Sequence, residues 1–153
     1  MQKANKASPQ PFNAKGWKIG IAVSQFNGHI TKELLKGTLK RATDYDINPD
    51  KIDIVYVAGS VEIPLVLQQM AKTQKYKALL ALGCVIKGET PHFDYVCKLV
   101  TDGVLRVQLD TQTTVGFGVL TCNEEQQAQA RAHLGGEFLD AALQQAKALE
   151  QIR

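Results

Sequence analysis

Residues 77–96 read KALLALGCVIKGETPHFDYV, an unbroken apolar run, a short polar gap and the start of a second apolar segment. The run through Ala78–Ile86 lacks the polar alternation of a half-solvated strand, so it predicts a strand covered on both faces. In the gap, Thr90 suits the position before a helix and Pro91 its first turn. Beyond them Val96, Leu99, Val100, Val104 and Val107 recur at helical spacing, which gives that helix an apolar face. A buried strand feeding directly into a helix is half of a βαβ unit.

The rest of the chain repeats the pattern. WKIGIAVSQF (17–26) is a short apolar strand, and Ile30, Leu34, Leu35, Thr38, Leu39 and Ala42 predict a helix over 29–45. The loop DINPDK leads into the β-branched strand IDIVYVAG. After Ser60, read as an N-cap, a helix carries Ile63, Val66, Leu67, Met70 and Ala71 on one face. TVGFGVLT (114–121) is the fourth strand, and Asn123 before two glutamates is expected to cap a short helix through Arg131. Gly135-Gly136 reads as a break before a terminal helix striped by Leu139, Ala142, Leu143, Ala146 and Leu149. Alternating helices and continuously apolar strands predict an α/β fold: a three-layer α/β/α sandwich around a central four-stranded parallel sheet. Residues 1–16 are expected to form an extended N-terminal arm, and residues 17–153 a single domain.

Composition narrows the function classes. The chain has 153 residues, 44% hydrophobic and 22% charged, with a formal net charge of +3 and no basic run. These values suit a globular domain and give no sign of nucleic-acid binding. No stretch approaches the roughly 20 apolar residues of a membrane span, and the polar start is not a signal peptide, so a cytoplasmic location is expected. Cys84, Cys97 and Cys122 lack metal-ligand spacing and read as reduced, buried thiols. Without a nucleophile elbow, a Cys/His metal set or a dinucleotide glycine fingerprint, neither a metal nor a redox cofactor is expected.

In a parallel sheet, ligands bind beyond the carboxyl ends of the strands. Four polar segments follow the strands: SQFN, GSVEIP, KGETPH and TCNEE. Gly88 lets the backbone approach a ligand, and the helix start after it offers free N–H groups to an anion, with Lys87 adding charge. Pure capping accounts equally well for Thr90 and Pro91. His92, in the first turn, is expected to stand neutral as a base, though a helix-start histidine without a role fits the same spacing. Ser60 and Glu62 can cap a helix or hydrogen-bond a polyhydroxylated ligand. Phe26 stands in a polar loop where packing alone does not call for an aromatic, so it can stack on a flat heterocycle. Phe117 reads as core, and Arg131 as a cation suited to a helix C-terminus.

Taken together, SQFN, AGSVEIP, ALGCVIKGETPHFDYV and VGFGVLTCNEEQQAQAR, in this order, resemble the lumazine synthases of riboflavin biosynthesis from about Trp17 to the end of the chain. The resemblance implies the flavodoxin-like form of the sandwich. It also implies condensation of 5-amino-6-(D-ribitylamino)uracil with 3,4-dihydroxy-2-butanone 4-phosphate to 6,7-dimethyl-8-ribityllumazine, releasing phosphate and water. By position, Phe26 would stack on the pyrimidine. Ser60, Val61, Glu62, Cys84, Val85 and Ile86 would line the ribityl and ring site. Glu89 and Thr90 would hold the phosphate, and His92 would carry protons. Phe117 and Arg131 would come from a neighbouring subunit. Such enzymes are homopentamers, some of which build sixty-subunit shells with riboflavin synthase as a partner.

Two departures stand out. Val61 replaces a common aromatic, and AHLGGEF (132–138) replaces a longer, lysine-bearing loop in which His133 is the remaining basic residue. The rival reading is a catalytically weak relative that binds flavin-like ligands or forms shells; formation of the lumazine from both substrates separates the two.

Overall fold

The computed structural model describes residue 5 and residues 8–153, so residues 1–4, 6 and 7 of the expected arm lie outside it. Four parallel strands, β1 (Ile19–Ser24), β2 (Ile52–Val57), β3 (Ala78–Ile86) and β4 (Val115–Cys122), form a sheet in the order β2-β1-β3-β4. Among the described residues five α-helices flank it: α1 (Gly28–Asp44), α2 (Ile63–Lys72), α3 (His92–Thr111), α4 (Glu125–Arg131) and α5 (Gly135–Ile152). This is the expected three-layer, flavodoxin-like sandwich.

Alternate strand residues build two cores. Ile19, Ile21, Val23, Leu80, Leu82, Cys84 and Leu120 pack with Leu34 of α1 and with Leu139 and Leu143 of α5. On the other face Ala22, Leu79, Ala81, Val115 and Val119 meet Ile63 and Leu67 of α2 and Val100, Val104 and Val107 of α3. Burial on both sides accounts for the continuous apolar runs of β1 and β3. β2 departs from the expectation: it is an edge strand, and Val55 and Tyr56 are exposed.

α1 and α5 are tied together by a buried polar network. Asp140 Oδ1 accepts from Tyr45 Oη at 2.6 Å and from Arg41 Nε at 2.8 Å. Burial and the bond to Asp140 push the Tyr45 phenol up to about 12. The described part of the arm is anchored to the same region: Phe12 packs edge-on against Trp17 and Tyr45, and Ala14 N–H donates to the Tyr45 carbonyl.

Two boundaries correct the sequence reading. α4 is capped by Glu124 rather than Asn123, and Gln127 Oε1 accepts from the N–H groups of both residues. Gly135-Gly136 is no break. A 3-10 turn, Ala132–Leu134, runs straight into α5, whose first two residues are these glycines. Their role is close approach: a Cβ on Gly135 would stand 1.8 Å from the Leu34 carbonyl oxygen. Because that obstacle is backbone, Gly135→Ala should destabilise the fold by about 3 kcal/mol, at the upper end for overpacking. Urea denaturation measures this, and an unchanged midpoint would refute the tight α1–α5 contact.

Candidate functional site

β1 leads into α1 on one face of the sheet, whereas β2 and β3 lead into α2 and α3 on the other. Right-handed crossovers demand this once β3 pairs with the far edge of β1. The loops after β1 and β3 therefore diverge, leaving a crevice at their carboxyl ends. A cleft of about 540 Å³ occupies that crevice.

From β1's side the cleft receives Phe26 and Asn27. Phe26 is 72% exposed and belongs to neither core, consistent with an aromatic placed for something other than packing. Asn27 adopts the left-handed conformation, φ 56° and ψ 44°, which asparagine tolerates better than most residues. Its Nδ2 donates to the Cys84 carbonyl at 2.9 Å.

The turn after β2 contributes Gly59, Ser60, Val61 and Glu62. Here Glu62 Oε2 accepts from the Gly59 N–H at 3.0 Å, so Glu62 rather than Ser60 supplies the capping side chain. Ser60 is 5% exposed, and its hydroxyl has no hydrogen-bond partner among the described residues.

β3 supplies Cys84, Val85 and Ile86, and the loop beyond it Gly88, Thr90 and His92. α3 begins at His92, after Pro91, and Thr90 Oγ1 accepts weakly from the His92 N–H at 3.4 Å. The position before the helix thus falls to Pro91 and not to Thr90, no side chain caps α3, and it is Thr90 and His92 that line the cleft. The 20-residue helix directs its N-terminus, and the positive end of its dipole, at the cleft mouth.

Of the twelve residues to which the resemblance assigns a role, nine line this cleft and Glu89, Phe117 and Arg131 do not; Gly88 lines it too, whereas Lys87 does not. Glu89 is exposed in the loop before α3. Phe117 sits mid-strand in β4, paired with Ala81 and packed on the α2–α3 core. Arg131 ends α4, donating to the Gln127 carbonyl at 2.8 Å, and its charge opposes the burial that raises the Cys122 thiol. Nearby, Glu125 is held below the usual carboxylate range by its hydrogen bond with His29, which joins the starts of α1 and α4.

The sequence reading did not assign Phe93, Tyr95, Val96 and Leu99 of α3 to the site. His92, Tyr95, Val96 and Leu99 follow i, i+3, i+4, i+7 spacing, a signal that places all four on one helix face. Leu99, assigned to the core from its spacing, is 59% exposed on the cleft side of that stripe.

Cys84 forms part of the cleft lining but is only 2% exposed, and burial, ahead of the neighbouring Cys122 and Glu125, pushes its thiol up to about 12. It should therefore resist iodoacetamide in native protein at about pH 8 and react once urea unfolds the chain. Its contribution to stability is fully present below the unfolded thiol value of about 8.5 and is lost as pH climbs toward the folded one. Peptide mapping after alkylation checks this, and rapid native labelling would show a thiolate that the burial forbids.

Comparison with known proteins adds an independent finding. The family profile described as 6,7-dimethyl-8-ribityllumazine synthase matches residues 16–150. A protein of that name from Coxiella burnetii (strain Dugway 5J108-111) is 42% identical over 141 residues, covering 89% of this chain and 93% of its own. Its namesake from Lactiplantibacillus plantarum is 43% identical over 144 residues, covering 93% and 91%. The one from Thermococcus kodakarensis is 42% identical over 146 residues, covering 93% and 92%. These names favour an enzyme over a relative that only binds ligands.

Proposed function

The chain belongs to the 6,7-dimethyl-8-ribityllumazine synthase family of transferases, and from that premise we propose that it makes 6,7-dimethyl-8-ribityllumazine in riboflavin biosynthesis. The substrates are 5-amino-6-(D-ribitylamino)uracil and 3,4-dihydroxy-2-butanone 4-phosphate. The observation that carries the reading is the convergence on one cleft of an exposed aromatic, a buried hydroxyl without a partner among the described residues, a carboxylate, a helix N-terminus and a histidine.

Each feature has work to do in that reaction. The pyrimidine stacks on Phe26, with Val61, Cys84, Val85 and Ile86 as its surroundings, while Ser60 and Glu62 hydrogen-bond the ribityl chain. The butanone phosphate lies at the start of α3, where Gly88, Glu89 and Thr90 present backbone N–H groups and a hydroxyl to the anion. The substrate amine attacks the ketone, so no lysine nucleophile is required. Water leaves to give the imine, phosphate is eliminated, and ring closure expels water again. His92 is the group beside the anion seat that accepts and returns protons.

Phe117 and Arg131 act from a neighbouring subunit, and the assembly is a homopentamer. Tyr95, Leu99, Leu105 and Leu109 expose a row of large apolar groups along α3, a surface suited to burial between copies. Sixty-subunit shells and riboflavin synthase as a partner are extensions of the same proposal. So are a single functional domain over residues 17–153 and a cytoplasmic location; among the described residues no helix is long and apolar enough to cross a membrane.

Incubating the protein with both substrates should produce the absorbance of the lumazine, and no product would sink the assignment. Because positioning carries much of the rate, His92→Ala should lower kcat by about 10²-fold without abolishing turnover. A variant with full activity would remove His92 from the mechanism. Arg131→Ala should raise KM for the butanone phosphate by about tenfold or more, as expected for loss of a charge-assisted contact to phosphate. Steady-state kinetics reads both.

A further inference from the structure

The loop that carries Phe26 has no core packing of its own, yet its backbone is fixed on both flanks. On the β2 side, the N–H groups of Gln25 and Phe26 donate to the carbonyls of Val57 and Ala58 at 2.8 and 2.9 Å, extending the ladder past the end of β1. On the β3 side, the connection is the bond from Asn27 Nδ2 to the Cys84 carbonyl, which spans 57 residues of sequence. Asn27 also turns the chain: its left-handed backbone ends the extended segment, and its carbonyl accepts from the N–H groups of Ile30 and Thr31 to open α1. Thr31 Oγ1 closes the turn from below, donating to the Ser24 carbonyl at 2.8 Å.

We propose that Asn27 is a positioning residue for the pyrimidine substrate, its side-chain amide tethering the Phe26 loop to the Cys84 peptide so that ring platform and cleft floor keep a fixed separation. The proposal rests on the cleft being the site of condensation. Two features of Asn27 are needed together. The left-handed backbone turns the chain directly after Phe26, whose exposed ring can be stacked upon. The amide donor reaches across the crevice that the strand order opens between β1 and β3. Asparagine combines both: it is among the few non-glycine residues that readily visit this conformation, and its amide is long enough to bond another segment's backbone. The same bond holds the Cys84 carbonyl, and hence the peptide leading to Val85, in one orientation.

The test separates tether from turn. Asn27→Gly keeps the left-handed backbone and removes the tether; Asn27→Asp keeps the size and turn preference but offers no donor. Both should weaken binding of 5-amino-6-(D-ribitylamino)uracil about tenfold, the loss of one well-made hydrogen bond's worth of order, with kcat changed by less than about twofold. Because Asn27 acts through Phe26, the double variant Asn27→Gly/Phe26→Ala should bind within about twofold of Phe26→Ala alone. Titration calorimetry, steady-state kinetics and thermal melting supply the readouts. Wild-type affinity in Asn27→Gly overturns the proposal, as does a lowered melting temperature with unchanged affinity, which would mark a merely structural bond. Fully additive losses in the double variant overturn it too, since they would make Asn27 an independent contact. Failure of the unaltered protein to bind the pyrimidine or turn it over is a different result, and it removes the reading of the cleft itself.

Discussion

β1 is paired along its length on both edges, Ile19–Ser24 against Ile52–Val57 of β2 and Ile19–Val23 against Ala78–Leu82 of β3. All these pairings are parallel, so each connection must cross over a face of the sheet. Handedness then leaves no choice about which face: α1 goes to one side, α2 and α3 to the other. The divergence of the loops after β1 and β3 follows from strand order before any side chain is considered. Phe26, the Gly59–Glu62 turn and the start of α3 meet because the three strands that deliver them end side by side at that divergence. The cleft is a topological consequence, and its chemistry is added by the residues placed around it.

Much of this was legible because burial on two faces removes polar alternation, a pattern that survives in the sequence without knowledge of contacts. β1 and β3 show it clearly, whereas β2 carries the same β-branched signal while lying at an edge with Tyr56 in solvent. Apolar composition reports strand propensity and cannot report which strand is outermost. Phe26 was readable for a related reason: a large aromatic in a polar loop contradicts its surroundings. Gly135-Gly136 was misread because glycine has two meanings. It often stops a helix, but here it removes side chains where the backbone of α5 approaches that of α1, and only the packed structure distinguishes these. The Asn27 tether was equally hidden, since a hydrogen bond across 57 residues leaves no local trace.

The stripe on α3 joins two problems that the sequence keeps separate. His92, Tyr95 and Leu99 line the cleft, and the exposed row continues along the helix through Leu105 and Leu109. A single chain leaves this face in water at a cost set by its apolar area. It also leaves Phe117 packed mid-sheet and Arg131 outside the cleft. A neighbour seated on α3 would cover the apolar row beside the site, and under the proposed function it is a neighbour that brings those two residues. Assembly and the proposed catalysis would then draw on the same helix, with His92 at the head of an otherwise apolar exposed face.

The floor of the cleft points the same way from energetics. Ser24 and Ser60 are both buried, and neither hydroxyl has a hydrogen-bond partner among the described residues. Both lie against Gly83 of β3, where a Cβ would stand 2.5 Å from Ser60 Oγ and 3.3 Å from Ser24 Oγ. An unpaired buried hydroxyl costs about 1–3 kcal/mol, whereas alanine at either position would leave no polar group unpaired. Two such groups converging on one glycine are therefore hard to explain as packing. They lie where the strands open, one of them in the wall of the cleft, at the kind of place where a protein tolerates local instability for the sake of its site. The third buried hydroxyl without a partner among the described residues, Thr114, lies just before β4, outside the cleft. A single buried hydroxyl of that kind can be incidental. The pair at Gly83 differs because strand order brings β1, the turn after β2 and β3 together there, directly beneath the residues that would hold the substrate.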